Sequence, residues 1–132
     1  MAQAPLLKAM LVCDNTIVEE HTHKRTLMGL FDNIRAVKFP CTHFMLHVFV
    51  QFTDVEGVHA FQLELRDLQK DQEIAKAEIP NFKVVSRLGS YDLVFKLMNL
   101  KFPHPGDYEF RIFCDGVIFG QKTFRVVGQD PD

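Results

Sequence analysis

From His43 to Thr53 the chain alternates with a period of two, placing Phe44, Leu46, Val48, Val50 and Phe52 on one side. A helix gathers its apolar residues at three- and four-residue spacing, so this run predicts a strand. After Asp54-Val-Glu-Gly57, the residues Phe61, Leu63 and Leu65 alternate with Ala60, Gln62, Glu64 and Arg66. With Asp54–Gly57 as a four-residue turn, the two runs predict a β-hairpin. Its register sets Val50 against Phe61, Val48 against Leu63 and Leu46 against Leu65, with His47 opposite Glu64 on the other face.

A second hairpin is expected near the end. Tyr108, Phe110, Ile112 and Cys114 share one face, and Asp115-Gly116 suits the positive φ of a two-residue turn. The return strand, Val117 to Val127, sets Lys122 opposite Glu109. Its inward parity changes between Phe119 and Phe124, which predicts a bulge or a change of sheet near Gly120. Leu6–Cys13, Arg25–Phe31 and Ser90–Leu100 also read as strands, the last with Tyr91, Leu93, Phe95 and Leu97 on one face. Leu68–Ile79 reads as a turn followed by a strand, with a short helix stopped by Pro80 as the alternative. Short strands joined by turns define an all-β, antiparallel two-sheet sandwich of seven to eight strands. The 132 residues fit a single domain over 1–132, with 128–132 a frayed tail.

The same alternation exposes a surplus. Met45 and Phe49 point away from the Phe44–Phe52 stripe, Val94, Met98 and Leu100 away from theirs, and Phe113 and Ile118 likewise in the last hairpin. A half-solvated antiparallel strand carries polar residues at such positions. Either a loop such as Asn33–Thr42 covers them, or they bind another chain. The second reading makes Met45, Phe49, Val94, Met98 and Phe113 candidate partner-binding residues, in a homo-oligomer or with an unidentified protein.

Composition narrows the partners. Fifteen Lys and Arg are scattered along a chain of net charge −2, with no concentrated basic surface for nucleic acid. No apolar run approaches the ~20 residues that span a bilayer, and the opening Met-Ala-Gln-Ala-Pro lacks the pattern of a secretion signal. Cys13, Cys41 and Cys114 are an odd number and widely spaced, as suits free thiols in a reducing cytoplasm.

Candidate chemistry is sparse. His21-x-His23 with Cys41 and His43 is the one set whose donors could form a metal site, although ordinary surface or hydrogen-bonded histidines are the simpler reading. The predicted register puts His47 and His59 on opposite faces. Glu64 opposite His47 could form an acid–base pair, but a cross-strand salt contact explains it as well. There is no Gly-x-Ser-x-Gly elbow and no glycine-rich phosphate loop, and the aspartates do not cluster as calcium ligands. No catalytic residue and no cofactor are expected.

Leu11-Val-Cys-Asp14, Gly29-Leu-Phe-Asp32, Phe39-Pro40 and Pro105-Gly-Asp-Tyr-Glu-Phe110 followed by Asp115-Gly116 resemble a family of small uncharacterised bacterial proteins. The resemblance spans most of the chain. It implies an immunoglobulin-like or C2-like sandwich and no assigned activity, so no functional residue is carried over. Tyr108 is placed to bond its hydroxyl to a nearby loop, as in a tyrosine corner. The expected function is a cytoplasmic, non-enzymatic binding or assembly module that self-associates. Alternatives are a metal-binding protein or metal-dependent enzyme built on the histidine loop, and a small-ligand carrier whose pocket the thirteen phenylalanines would line.

Overall fold

The computed structural model describes residues 4–130. Nine strands run in chain order as β1 (Leu6–Val18), β2 (Arg25–Leu30), β3 (Asn33–Ala36), β4 (Cys41–Thr53), β5 (Gly57–Asp67), β6 (Gln72–Val84), β7 (Tyr91–Phe102), β8 (Gly106–Cys114) and β9 (Val117–Gly128). They form two sheets, β2-β1-β4-β7 and β3-β9-β8-β5-β6. All the pairings are antiparallel except β3 with β9, which is parallel. No helix among the described residues is long and apolar enough to cross a membrane. Of the expected frayed tail, Gly128 closes β9 and the Gln129 amide donates to Ala36 O, while residues 131 and 132 lie outside the described residues.

The predicted hairpin of β4 and β5 does not form. β4 pairs with β1 and β7, whereas β5 pairs with β6 and β8 in the opposite sheet. The side-chain parity nonetheless holds: Leu46, Val48, Val50 and Phe52 face Phe61, Leu63 and Leu65 across the core. Two strands of one hairpin and two facing strands of a sandwich both turn alternate residues inward, so alternation alone does not distinguish them. Asp54–Gly57 is therefore an arch between the sheets, with positive φ at Asp54 and Gly57 and with Val55 buried in the core. His47 consequently lies opposite Cys13 and Lys96, while Glu64 lies opposite Lys76 and Arg111.

The late hairpin is as expected. Asp115 and Gly116 have φ of 49° and 84°, the handedness of a type I′ turn. A bulge at Phe119 gives β9 one extra residue between Ile118, opposite Phe113, and Gly120, opposite Ile112. The register therefore moves by one. Glu109 faces Thr123 instead of Lys122, accepting hydrogen bonds from Arg111 Nε (2.6 Å) and Thr123 Oγ1 (3.2 Å). Gly120 itself leaves no space for a side chain, since a Cβ would lie 2.6 Å from Leu7 and 3.1 Å from Ile112. Leu68–Ile79 resolves as a turn entering β6, and Pro80 sits in that strand on a sheet edge, where a missing N–H is tolerated. The stretch Asn33–Thr42, read as a loop, contributes β3 to the second sheet and buries Ile34 in the core.

Phe44, expected on the core stripe, is 67% exposed, while Leu100, expected on the outer face, is buried. Asn99, with φ of 55°, stands between the exposed Met98 and the buried Leu100. Phe44 is level with it on β4, so the inward alternation shifts at the same level of both paired strands.

Aromatic rings fill the interior in two groups. Phe52, Phe61, Phe82, Tyr91 and Phe119 pack at one end, and Phe102, Tyr108, Phe110 and Phe124 at the other. The Tyr108 hydroxyl donates to His104 O at 2.7 Å, closing the expected tyrosine corner. The order β1-β4-β7 against β9-β8-β5-β6 is that of immunoglobulin strands A-B-E against G-F-C-C′, without a strand D beside β7. Phe110, two residues after the corner tyrosine, occupies the place of the second disulfide cysteine, and all three cysteines are free.

Candidate functional site

The outer face of the first sheet is divided between a covered and an open half. Pairing of β1 with β4 ends at Cys13–His47, yet β1 runs on to Val18, paired only with β2. If this extension stayed in the plane, Val18, the partner of Arg25, would stand opposite Thr42, nine residues from Gln51, the partner of Asp92. That is about 30 Å at strand spacing, but Arg25 Nε lies 3.8 Å from Asp92 Oδ2. The distal half of the β1–β2 hairpin therefore folds back over the sheet. Beneath it, Thr16 Oγ1 meets His47 Nδ1 at 3.0 Å, and Cys13 and Phe49 are buried. Burial, followed by the charge of Lys96, lowers the His47 pKa and keeps that imidazole neutral.

The open half lies toward Cys41. Met45 is half-buried, its partner Met98 is 45% exposed, and Phe44 adjoins them. Val94 is half-buried on the same face. Of the five predicted partner-binding residues, Met45, Phe49, Val94 and Met98 thus share the first sheet, with Phe49 hidden by the chain's own hairpin. Phe113 is on β8 of the other sheet and does not belong to that surface.

Beside this face runs the free edge of β7. Among the described residues the two sheets have four edges. β2 and β3 are short, with six and four residues, and β6 carries Pro80 and two register shifts. Short strands, proline and bulges are the usual protections of an edge against pairing with another chain. β7 has twelve residues and no proline; up to the irregularity at Asn99 its edge is regular, and its outer face there bears Asp92, Val94, Lys96 and Met98.

The predicted histidine loop does not gather. His21 and His23 are exposed at the hairpin tip, where Glu19 accepts hydrogen bonds from the His21 and Thr22 amides. Cys41 and His43 begin β4, with His43 against the ring of Phe31. Among the described residues, the group close enough to hold a metal ion is His59, Cys114 and Asp115, so no three of His21, His23, Cys41 and His43 converge.

Two histidines use both ring nitrogens. His59 Nδ1 is 2.6 Å from Asp115 Oδ2 and Nε2 is 2.6 Å from Glu56 O. His104 Nε2 is 2.6 Å from the buried Asp67 Oδ2, and Nδ1 is 2.7 Å from Pro105 O. A neutral imidazole has one N–H, so two acceptors call for the protonated ring. The Asp115 hydrogen bond raises the His59 pKa, and the Pro105 carbonyl followed by Asp67 raises that of His104. Burial pushes the Asp67 carboxyl up, but His104 and the Lys70 and Gln69 amides together hold it below the ordinary carboxylate range. Glu64, the other proposed acid–base partner, is bound to Arg66 at 3.0 Å.

A groove of about 330 Å³ opens where β2 of one sheet meets β3 of the other. Leu30, Phe31 and Ile34 line it together with Asp14, Asn33, Arg35 and His43, so it is a mixed groove open to the surface and not an enclosed apolar chamber.

The family described as "Family of unknown function (DUF6941)" matches residues 8–127, and the chain belongs to it. No curated protein matches the chain. Among solved structures it is similar to an immunoglobulin-like protein from Pseudomonas aeruginosa, at 12% identity over 95% of this chain and 98% of that one, with a TM-score of 0.44. It is also similar to a mutant (D270A) beta-glucosidase from Listeria innocua in complex with laminaribiose, at 16% identity and a TM-score of 0.47. That match covers 93% of this chain and 16% of the enzyme. The immunoglobulin-like character rests on the strand order and the tyrosine corner themselves.

Proposed function

We propose that this domain is a non-enzymatic assembly module whose partner is a second copy of itself, joined through β7. The observation that carries the reading is the long, proline-free edge of β7, flanked on its outer face by Val94, Met98 and Met45. Two β7 strands related by a two-fold axis pair antiparallel, and the same residues serve both copies. Charge selects the register. Centring the axis on Val94 sets Asp92 of one copy opposite Lys96 of the other, twice, whereas centring it on Asp92 or on Lys96 opposes like charges. A net charge of −2 gives little self-repulsion.

Sedimentation velocity across micromolar concentrations tests this. The wild-type chain is expected to show a monomer–dimer equilibrium, and Met98→Lys or Val94→Lys to weaken it by about tenfold or more. A wild-type chain that stays monomeric throughout, or lysine variants that dimerise equally well, would overturn the reading.

A further inference from the structure

We propose that His59, Cys114 and Asp115 form a site for a borderline-soft divalent cation, zinc above all, at the end of the sandwich where the β4–β5 arch meets the β8–β9 turn. This inference stands apart from the assembly through β7, which lies on the other sheet. One donor atom from each residue, an imidazole nitrogen, the Cys114 Sγ and a carboxylate oxygen, lies within 4.8 Å of the other two. Donors around a tetrahedral zinc stand about 3.5 Å apart, given bond lengths of roughly 2.0–2.3 Å. Small side-chain rotations therefore close the set.

The surroundings are already built for ligation. The type I′ turn aims Asp115 back at β5, where its Oδ1 accepts from the Ala60 amide (2.9 Å) and its own amide donates to Ala60 O (2.8 Å). That leaves Oδ2 directed at His59. Nε2 of His59 faces Glu56 O, an acceptor only, so Nε2 carries a hydrogen. In the neutral ring this fixes the lone pair on Nδ1, pointing at Asp115 Oδ2 from 2.6 Å. Two lone pairs at that separation need a positive species between them, which is a proton in the free protein and the metal in the loaded one. A ligating imidazole with its second nitrogen hydrogen-bonded to a carbonyl is the usual outer support of a zinc site.

The donor set selects the class of ion. One nitrogen, one sulfur and one oxygen suit zinc better than magnesium or calcium, which prefer all-oxygen shells. Thiolate and carboxylate together neutralise a divalent charge. Binding releases the Cys114 thiol proton and the Nδ1 proton to solvent. Asp115 is exposed, so a solvent water can supply the fourth ligand. The ion would tie the arch to the last hairpin.

Cobalt(II) reports directly on the site, because thiolate ligation gives a charge-transfer band in the near ultraviolet. The wild-type chain is expected to bind one equivalent with that band, and zinc to displace it. Cys114→Ser and His59→Gln should abolish the band, while Cys41→Ser keeps it. His59 lies outside the core, so His59→Gln serves if Cys114→Ser does not fold. No thiolate band at saturating cobalt, or a band that survives both substitutions, would overturn the proposal.

Discussion

Arg25 Nε lies 3.8 Å from Asp92 Oδ2 and so joins β2 to β7, the two edge strands of one sheet, over the outer face of the strands between them. The contact shows why Phe49 and His47, on the outer side of β4, are nevertheless buried. It also separates the apolar surplus into side chains that the molecule covers itself and those beside β7 that it leaves open.

An ion pair of partly exposed groups contributes little to global stability, and Arg25→Ala should cost less than about 1 kcal/mol in urea unfolding. Its effect is local. Opening of the folded-back hairpin uncovers Cys13, so the variant should label at Cys13 faster than wild type with a thiol reagent, read by mass spectrometry of peptides. Cys41 and Cys114 act as internal references. An unchanged Cys13 rate would show that the hairpin is held by something other than this contact.

The His104–Asp67 pair has a definite pH signature. The His104 pKa is raised by folding, so its contribution is complete below the unfolded value of about 6.5 and fades as pH rises through the higher folded value. The Asp67 pKa is lowered, so its contribution is complete above the unfolded value of about 3.9 and is lost as pH falls through the lower folded value. The pair therefore stabilises most between about pH 4 and 6.5. The difference in melting temperature between wild type and His104→Gln should be greatest in that window and shrink in alkali. A difference independent of pH would mean that His104 acts through packing alone.

What the sequence could reveal follows from what each signal encodes. Alternation reports which side a residue faces, and Leu46 to Phe52 and Phe61 to Leu65 do face the core. It says nothing of which strand lies alongside, so the arch at Asp54–Gly57 passed for a hairpin turn. Val55, an apolar residue in that turn, was the one local sign of an arch. The turn at Asp115-Gly116 and the bulge near Gly120 were legible because each is set by residues adjacent in the chain. The cluster of His59, Cys114 and Asp115 was not, since it depends on the pairing of Phe61 with Cys114 across more than fifty residues. The fold-back of the β1–β2 hairpin depends in the same way on a contact between Arg25 and Asp92 that no periodicity encodes.

Assembly through β7 specifies a register, and a single cysteine reads it. In antiparallel pairing about Val94, the two copies of residue 94 face each other with Cα atoms about 4.5–5.5 Å apart, within the span of a disulfide. Val94→Cys should form a covalent dimer rapidly under mild oxidation, and Met98→Cys, directed at Ser90 of the other copy, should do so far more slowly. Equal rates for the two variants, or no covalent dimer from Val94→Cys, would contradict the account.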